Sequence, residues 1–165
     1  MKLFTKARAF FKLDVKTRFL LIEAFFYLAW GRYQKRRNFS EIAPSLGVPM
    51  KETMFTATSI NLRTSKSVSS AIRTMSHYTF WESACLVKAL AALKMLEKRN
   101  IESTLYLGTA KDKTGKLVAH AWLRSGSFYV SGFEEMENFT VVAKFAKEIN
   151  IQRGEGASYD KDAES

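Results

Sequence analysis

Residues 80–96 read FWESACLVKALAALKML and contain the only cysteine of the chain, Cys85. Apolar side chains recur here at helical spacing, which predicts one strong helix ending at about Lys98. A capping box formed by Thr79 and Glu82 would place Cys85 in the second helical turn, whereas a cap at Ser83 would place it in the first. We favour the cap at Ser83, because the dipole of the first turn stabilises the thiolate that cysteine chemistry needs.

The segment after this helix has the pattern of an antiparallel sheet. Residues 103–109 and 117–124 are strand-like, with a glycine-containing hairpin loop at residues 111–116 between them. Ser125-Gly126 predicts the next turn and residues 127–131 a third strand. A helix followed by antiparallel strands predicts an α+β fold.

His120 lies in the middle of the second predicted strand, 35 residues after Cys85. One cysteine on a helix and one histidine on a following strand are the minimum parts of a thiol protease site. Trp122 shares the strand face of His120 and is expected to shield an ion pair from water. The group that orients the imidazole stays open among Ser131, Glu134 and Glu135. The Cys85 amide is a natural oxyanion donor.

Each of these residues also has a structural interpretation. A lone helical cysteine is most often a small buried hydrophobe, and a lone strand histidine is most often hydrogen-bonded in or near the core. His77 is interpreted as structural. One cysteine and two histidines without metal-ligand spacing make a poor zinc set, and no phosphate-binding glycine motif is present.

The N-terminal half is helical and basic. A short amphipathic helix is predicted over residues 3–12, and Asp14 is the expected cap of a second helix from Val15 to about Arg32. Pro44, Gly47 and Pro49 predict a loop. Residues 52–70 are predicted to be irregular, and a short helix is predicted to end near His77.

The net charge of +10 is confined to this half, since residues 1–76 hold 14 Lys and Arg against 4 Asp and Glu, while residues 77–165 hold 12 of each. A basic surface attracts acidic peptides, nucleic acid or anionic lipid, although a solvated basic face is the commoner explanation. The longest apolar run, residues 19–30, is too short to cross a bilayer, which needs about 20 residues. We expect a cytoplasmic protein.

Three regions are predicted along the chain. Residues 1–76 form a basic helical N-terminal region, residues 77–150 form the protease core, and residues 151–165 form a polar tail that is expected to be disordered.

The stretch from Tyr78 to Phe145 resembles a known family. Residues 85–91 (CLVKALA), 96–108 (LEKRNIESTLYLG) and 119–123 (AHAWL) are similar in order and spacing to the lasso-peptide leader peptidases. These are transglutaminase-like cysteine proteases, the B proteins of lasso-peptide maturation. The phenylalanine-rich front is similar to the free-standing members of the split type.

This resemblance implies a papain- or transglutaminase-type fold with Cys85 as nucleophile and His120 as general base. It implies an acidic third residue, carried over to Glu134 with Glu135 as rival. The substrate would be a leader–core precursor peptide, delivered by a separate small leader-binding protein and passed to an ATP-dependent lasso cyclase. The chain itself would need no cofactor and no metal, and it would neither bind nucleic acid nor span a membrane.

The resemblance also gives the basic front a function. Lys35, Arg36 and Arg37 would attract an acidic partner, and Trp81 and Trp122 would contribute to substrate or partner binding. The rival interpretation is a non-catalytic module that binds a peptide or a nucleic acid through the basic helical front. Acyl transfer to an amine is a second enzymatic possibility.

Overall fold

The computed structural model describes residues 10–149. The predicted tail and most of the predicted amphipathic helix at residues 3–12 lie outside this range. The elements follow in the order α1 (Val15–Gln34), α2 (Phe39–Leu46), β1 (Val48–Pro49), α3 (Ser59–Ser76), α4 (Cys85–Glu97), β2 (Ser103–Lys111), β3 (Leu117–Ser125), β4 (Phe128–Ser131), a short 3-10 helix (Met136–Asn138) and β5 (Thr140–Lys147).

The strands form one five-stranded antiparallel sheet in the order β1-β5-β2-β3-β4. The α+β prediction is therefore confirmed, with β2, β3 and β4 close to their predicted bounds. β1 and β5 were not predicted. Pro49 lies on the edge strand β1, where its missing N–H costs no internal ladder bond.

Helix α1 begins where its cap predicts. The Asp14 carboxylate accepts a hydrogen bond from the Thr17 amide at 3.0 Å, which satisfies one of the free donors of the first turn. The helix continues to Gln34, two residues beyond the predicted end. Its inner side buries Leu21, Ala24 and Leu28.

The predicted loop around Pro44 is wrong, because Pro44 lies inside α2. Proline removes one helical hydrogen bond, but this helix is only eight residues long, and the burial of Ile42 and Leu46 compensates for that loss. Gly47 then ends the helix at φ 126°.

The predicted irregular structure over residues 52–70 is also wrong from residue 59 onward. Thr58 caps α3 by accepting a hydrogen bond from the Asn61 amide at 3.2 Å. Its inward positions include Ser65 as well as Val68 and Ile72. A serine at a buried position hides the apolar period that sequence analysis relies on. The predicted end near His77 is confirmed, since His77 is the C-cap.

Helix α4 begins at Cys85 with Ala84 as its cap residue. Neither predicted cap is correct, because Thr79 and Ser83 bond their hydroxyls to each other at 2.9 Å. Cys85 nevertheless lies in the first turn, as the favoured alternative required. At the other end, Asn100 adopts φ 53°, which supplies the left-handed residue that glycine usually provides after a helix.

The core is continuous across the boundary predicted at residue 76. Helix α4 buries eight side chains against α1 and α3 on one side and the sheet on the other. α1 approaches α4 closely at Gly31, where a Cβ atom would lie 2.8 Å from the Val87 carbonyl oxygen. Glu23 of α1 also accepts two hydrogen bonds from Arg99, just beyond the end of α4.

The opposite face of the sheet is closed by residues 52–55. Arg124 is fully buried there and donates hydrogen bonds to the Tyr106 hydroxyl and to the carbonyls of Thr53 and Gly126. Its guanidinium lies 3.8 Å from the centroid of the Phe55 ring. A buried charge with its donors engaged in this way holds the crossing segment in place.

Within residues 10–149, no helix combines the length and the apolar content needed to cross a bilayer.

We expect Gly31→Ala to destabilise the protein. Alanine gains about 1 kcal/mol in helix propensity over glycine, but overlap of a new methyl group with fixed backbone costs about 1–3 kcal/mol. The free energy of unfolding from urea titration should therefore fall. Ala29→Gly in the same helix is the control and should lose only the propensity term. A more stable Gly31→Ala protein would contradict the close approach.

The Glu23–Arg99 contact predicts an acid-sensitive term in stability. Burial raises the pKa of Glu23, but hydrogen bonds and charge from Arg99 and Lys98 more than offset this, so its pKa is lowered in the folded state. The resulting contribution to the free energy of unfolding is present above the pKa of Glu23 in the unfolded chain, near 4.5. It is lost as the pH falls through the lower pKa of Glu23 in the folded protein. Glu23→Gln should lose about 1–2 kcal/mol at pH 7 and should have a shallower acid limb in urea titrations. If the free energy of unfolding fell equally steeply with decreasing pH in the wild type and in Glu23→Gln, the stabilising role of Glu23 would be refuted.

Candidate active site

A cleft of about 670 Å³ opens beside β3. β4 pairs with β3 only at Leu123, Arg124 and Ser125, so the preceding half of β3 has β2 on one side and the cleft on the other. The first residues of α4, residues 118–120 of β3 and the chain after β4 line this cleft, together with Ser69 and Arg73 of α3.

Cys85 enters the cleft as the first residue of α4 and is half-buried. The cap residue Ala84 makes no side-chain hydrogen bond to the first turn. The amides of this turn therefore have no side-chain cap. They lie at the edge of the cleft, where their partial positive charge favours an anion such as a thiolate or an oxyanion.

His120 reaches the cleft from β3. Its Nε2 atom lies 2.7 Å from the carbonyl oxygen of Gly132. Because a carbonyl oxygen can only accept, the ring proton is on Nε2. Within residues 10–149, Nδ1 has no hydrogen-bond partner, so in the neutral ring it is the free acceptor.

Aromatic rings fix the plane of this imidazole. Phe139 stacks on it with centroids 4.9 Å apart, and Trp122 stacks at 5.9 Å. Trp122 continues the stack onto Tyr106 at 5.6 Å, with the two planes 8° apart. Trp122 is itself only 4% exposed, and its shielding of a cysteine–histidine ion pair stays a prediction.

Two glycines make this arrangement possible. Gly132 has φ 73°, and a Cβ there would overlap the carbonyl oxygen of Ala121. Gly108, which pairs with His120 across β2 and β3, would place a Cβ 2.9 Å from the Trp122 ring and from Phe139. Sequence analysis did not identify Gly132, Gly108 or Phe139, because their role depends on contacts between segments far apart in the chain.

The predicted third residues also line the cleft. Ser131, Glu134 and Glu135 all contribute to its wall, but among the described residues none of them bonds to the imidazole. The Ser131 hydroxyl is buried without a hydrogen-bond partner in this part of the chain. Nε2 instead donates its hydrogen bond to the main-chain carbonyl oxygen of Gly132.

The predicted partner-binding residues lie elsewhere. Trp81 packs on Phe25 of α1, with centroids 5.4 Å apart. Lys35, Arg36 and Arg37 are exposed between α1 and α2, and Arg37 pairs with Glu41 at 2.8 Å. The structure therefore does not bring these residues into the cleft with Cys85 and His120.

Cys85 and His120 share the cleft without a direct bond. Ala121 and Leu123 pack in the helical core, so the alternating residues His120 and Trp122 leave β3 on the other face of the sheet. His120, but not Trp122, lines the cleft together with the first residues of α4. Within residues 10–149, no hydrogen bond joins the Cys85 sulfur to the imidazole, so a proton can pass between these two groups only if they move closer together.

One family model matches this chain. Its description is the transglutaminase-like superfamily, and it matches residues 26–144, from the middle of α1 into β5. Neither a curated protein nor a solved structure matches the chain. The matched range includes both cleft residues and agrees with the α+β core of helices on a five-stranded antiparallel sheet.

The Gly132 contact predicts a specific tautomer. In the wild-type protein above neutral pH, ¹⁵N spectra of the His120 ring should show the proton on Nε2. Gly132→Ala should lose this preference, because the new methyl group displaces the carbonyl. Gly115→Ala is the matched control, since Gly115 also has positive φ (81°) but open space around it. An unchanged His120 spectrum in Gly132→Ala would contradict the assignment.

Proposed function

Because this chain belongs to the transglutaminase-like superfamily, we propose that it is a cysteine endopeptidase that removes the leader from a lasso-peptide precursor. The observation that carries the proposal is the presence of Cys85, at a helix N-terminus, and His120, oriented by Gly132, in one open cleft. The sequence resemblance over residues 78–145 supports the choice of substrate.

The proposed reaction begins when Nδ1 of His120 takes the proton of the Cys85 thiol. The thiolate attacks the carbonyl carbon at the leader–core junction, and amides of the first turn of α4 stabilise the oxyanion. The C–N bond then breaks, and the imidazolium gives its proton to the amine of the core. Water, deprotonated by His120, attacks the leader thioester, which releases the leader carboxylate and regenerates the thiol.

The third group of the site is proposed to have two parts. The Gly132 carbonyl holds the Nε2 proton and so keeps Nδ1 available for the thiol. A carbonyl carries no net charge, so it stabilises an imidazolium less than a carboxylate does. Glu134, with Glu135 as its rival, lines the same cleft and is proposed to supply that negative charge.

The partners follow from the same resemblance. A separate small leader-binding protein would present the precursor, and an ATP-dependent cyclase would receive the core. Lys35 and Arg36 remain exposed beside Arg37, and their charge would speed the encounter with an acidic carrier.

A single cysteine makes the central test clean, since every alkylation event reports on Cys85. We expect iodoacetamide to label the wild-type chain rapidly at neutral pH, and His120→Ala to slow labelling about tenfold or more. His77→Ala is the matched control, because His77 lies at the end of α3. Cys85→Ala should abolish cleavage of a leader–core peptide while thermal unfolding stays close to wild type.

Two results would defeat the proposal. One is precursor cleavage by Cys85→Ala, and the other is a labelling rate that does not respond to His120→Ala. The second result would favour a non-catalytic peptide-binding module, which the missing bond between the Cys85 sulfur and His120 already makes the nearest rival. A third result would indicate acyl transfer instead of hydrolysis. If an amine is added to the reaction and the leader is released as an amide rather than as a free acid, the thioester on Cys85 has reacted with the amine.

A further inference from the structure

The outer side of α1 carries an exposed apolar stripe, which we call the α1 seam: Val15, Phe19, Ile22, Phe26 and Tyr33. Phe19 is 68% exposed, Phe26 66% and Tyr33 63%. From Val15 to Tyr33 the stripe is about 27 Å long at 1.5 Å per residue. Exposed single apolar residues are common on proteins, but several large ones aligned along one side of a helix indicate a contact surface.

The α1 seam is held rigidly in place. The other side of the same helix buries Leu21, Ala24 and Leu28 in the core, and Glu23 anchors the helix to Arg99. The seam is therefore displayed by a packed element and cannot turn inward without loss of the core.

The spacing of the seam identifies the shape of its occupant. Successive members are separated by four, three, four and seven residues, and half-buried Ala29 lies within the last interval. This is the alternation of four and three that places side chains along one seam of a coiled coil. A cavity of about 410 Å³ lies beside it, bounded by Phe19, Ile22 and Phe26, and is suited to accept a side chain from a facing helix.

The charged residues along the α1 seam indicate whether its occupant is acidic or basic. Lys12, Lys16 and Arg18 lie in or just before the first turn of the helix, and Lys98 borders the cavity. Arg32 is engaged elsewhere, since its guanidinium donates a hydrogen bond to the Glu82 carbonyl oxygen. The only acidic side chain between Val15 and Tyr33 is Glu23, which is engaged by Arg99 and Lys98. The rim is thus cationic, and it favours acidic residues at the flanking positions of a partner helix.

The chain itself offers three candidate occupants, and none of them fits. Residues 150–165 carry four acidic and two basic side chains, but Ile151 and Tyr159 are their only large apolar ones, which is too few for the apolar side of a facing helix. A second copy would bring the same cationic rim against the first. Residues 1–9 contain Lys2, Lys6 and Arg8 with no acidic side chain, so they repeat the charge of the rim. We propose that the α1 seam is the docking site for an acidic amphipathic helix of a partner protein, independently of any activity in the cleft.

A designed peptide series tests this proposal on the full chain. The first peptide has 21 residues, leucine at the seam positions and glutamate at the flanking positions. The second has lysine at the flanking positions, and the third is a scramble of the first. Calorimetry should show that the glutamate peptide binds about tenfold or more tightly than the other two. This binding should weaken as salt rises from 50 to 300 mM.

Matched variants locate the site. Phe19→Ser and Phe26→Ser should each weaken binding of the glutamate peptide about tenfold, as expected when an aromatic anchor is lost. Ile60→Ser is the control, because Ile60 is equally exposed (67%) but lies on α3. These positions are on the surface, so circular dichroism and thermal unfolding should show an unchanged fold.

Four outcomes would overturn the proposal. The first is absence of binding by the glutamate peptide, and the second is equal binding by the lysine peptide. The third is a dimer in light scattering that Phe26→Ser dissociates, which would make the occupant a second copy. The fourth is Phe26-dependent binding to phosphatidylserine vesicles without peptide binding, which would make the α1 seam a membrane-surface site.

Discussion

The position of the site depends on one close approach between two helices. Where α1 crosses α4, Gly31 leaves room for the main chain at Val87, which is two residues beyond Cys85. A larger residue at Gly31 would push α1 away from the first turns of α4. The terminus that presents the cysteine is therefore set by main-chain contact with α1 on one side and by the sheet on the other. This contact explains why a helix from the N-terminal half belongs to the same core as the residues of the cleft.

A second main-chain constraint orients the histidine. In a site that uses a carboxylate, the side chain provides both a hydrogen bond and a negative charge. Here Nε2 donates its hydrogen bond to the Gly132 carbonyl oxygen, and the ring plane is fixed by Phe139 and Trp122. The group that orients the His120 ring therefore carries no negative charge. For the proposed reaction, stabilisation of a thiolate and of an imidazolium would have to come from elsewhere in the cleft, where the uncapped first turn of α4 and the glutamates after β4 lie.

The sequence predicted the elements whose patterns are local. Asp14 capped α1 as expected, the leucine period of α4 was correct, and the hairpin strands β2 and β3 were close to their bounds. The two residues chosen for chemistry were placed in one cleft. The first part of α3 was missed because small polar residues such as Ser65 occupy buried positions, although its end near His77 was predicted. Helix α2 was missed because Pro44 was taken as a breaker, whereas the helix is stabilised by tertiary burial.

Other features were beyond a pattern-based prediction for a different reason. β5 is separated from its partner β2 by about thirty residues, and its apolar run does not alternate cleanly because a bulge shifts the register at Leu107 and Gly108. Gly132 was passed over because a polar side chain was sought, among Ser131, Glu134 and Glu135, whereas the contribution of Gly132 is a carbonyl oxygen. A residue that acts through its main chain has no chemical signature in a sequence except the glycine itself.

Helix α1 has two sides with separable roles, and this separation follows from its register. Leu21, Ala24, Leu28 and Gly31 face the core, whereas Phe19, Ile22, Phe26 and Tyr33 face outward. Substitution at an outward position removes surface contacts and leaves the approach to Val87 intact, while substitution at Gly31 disturbs the first turns of α4 and leaves the α1 seam exposed. The proposed docking on α1 and the proposed chemistry at Cys85 can therefore be tested independently, because the outward residues and the core-facing residues lie on different sides of the helix.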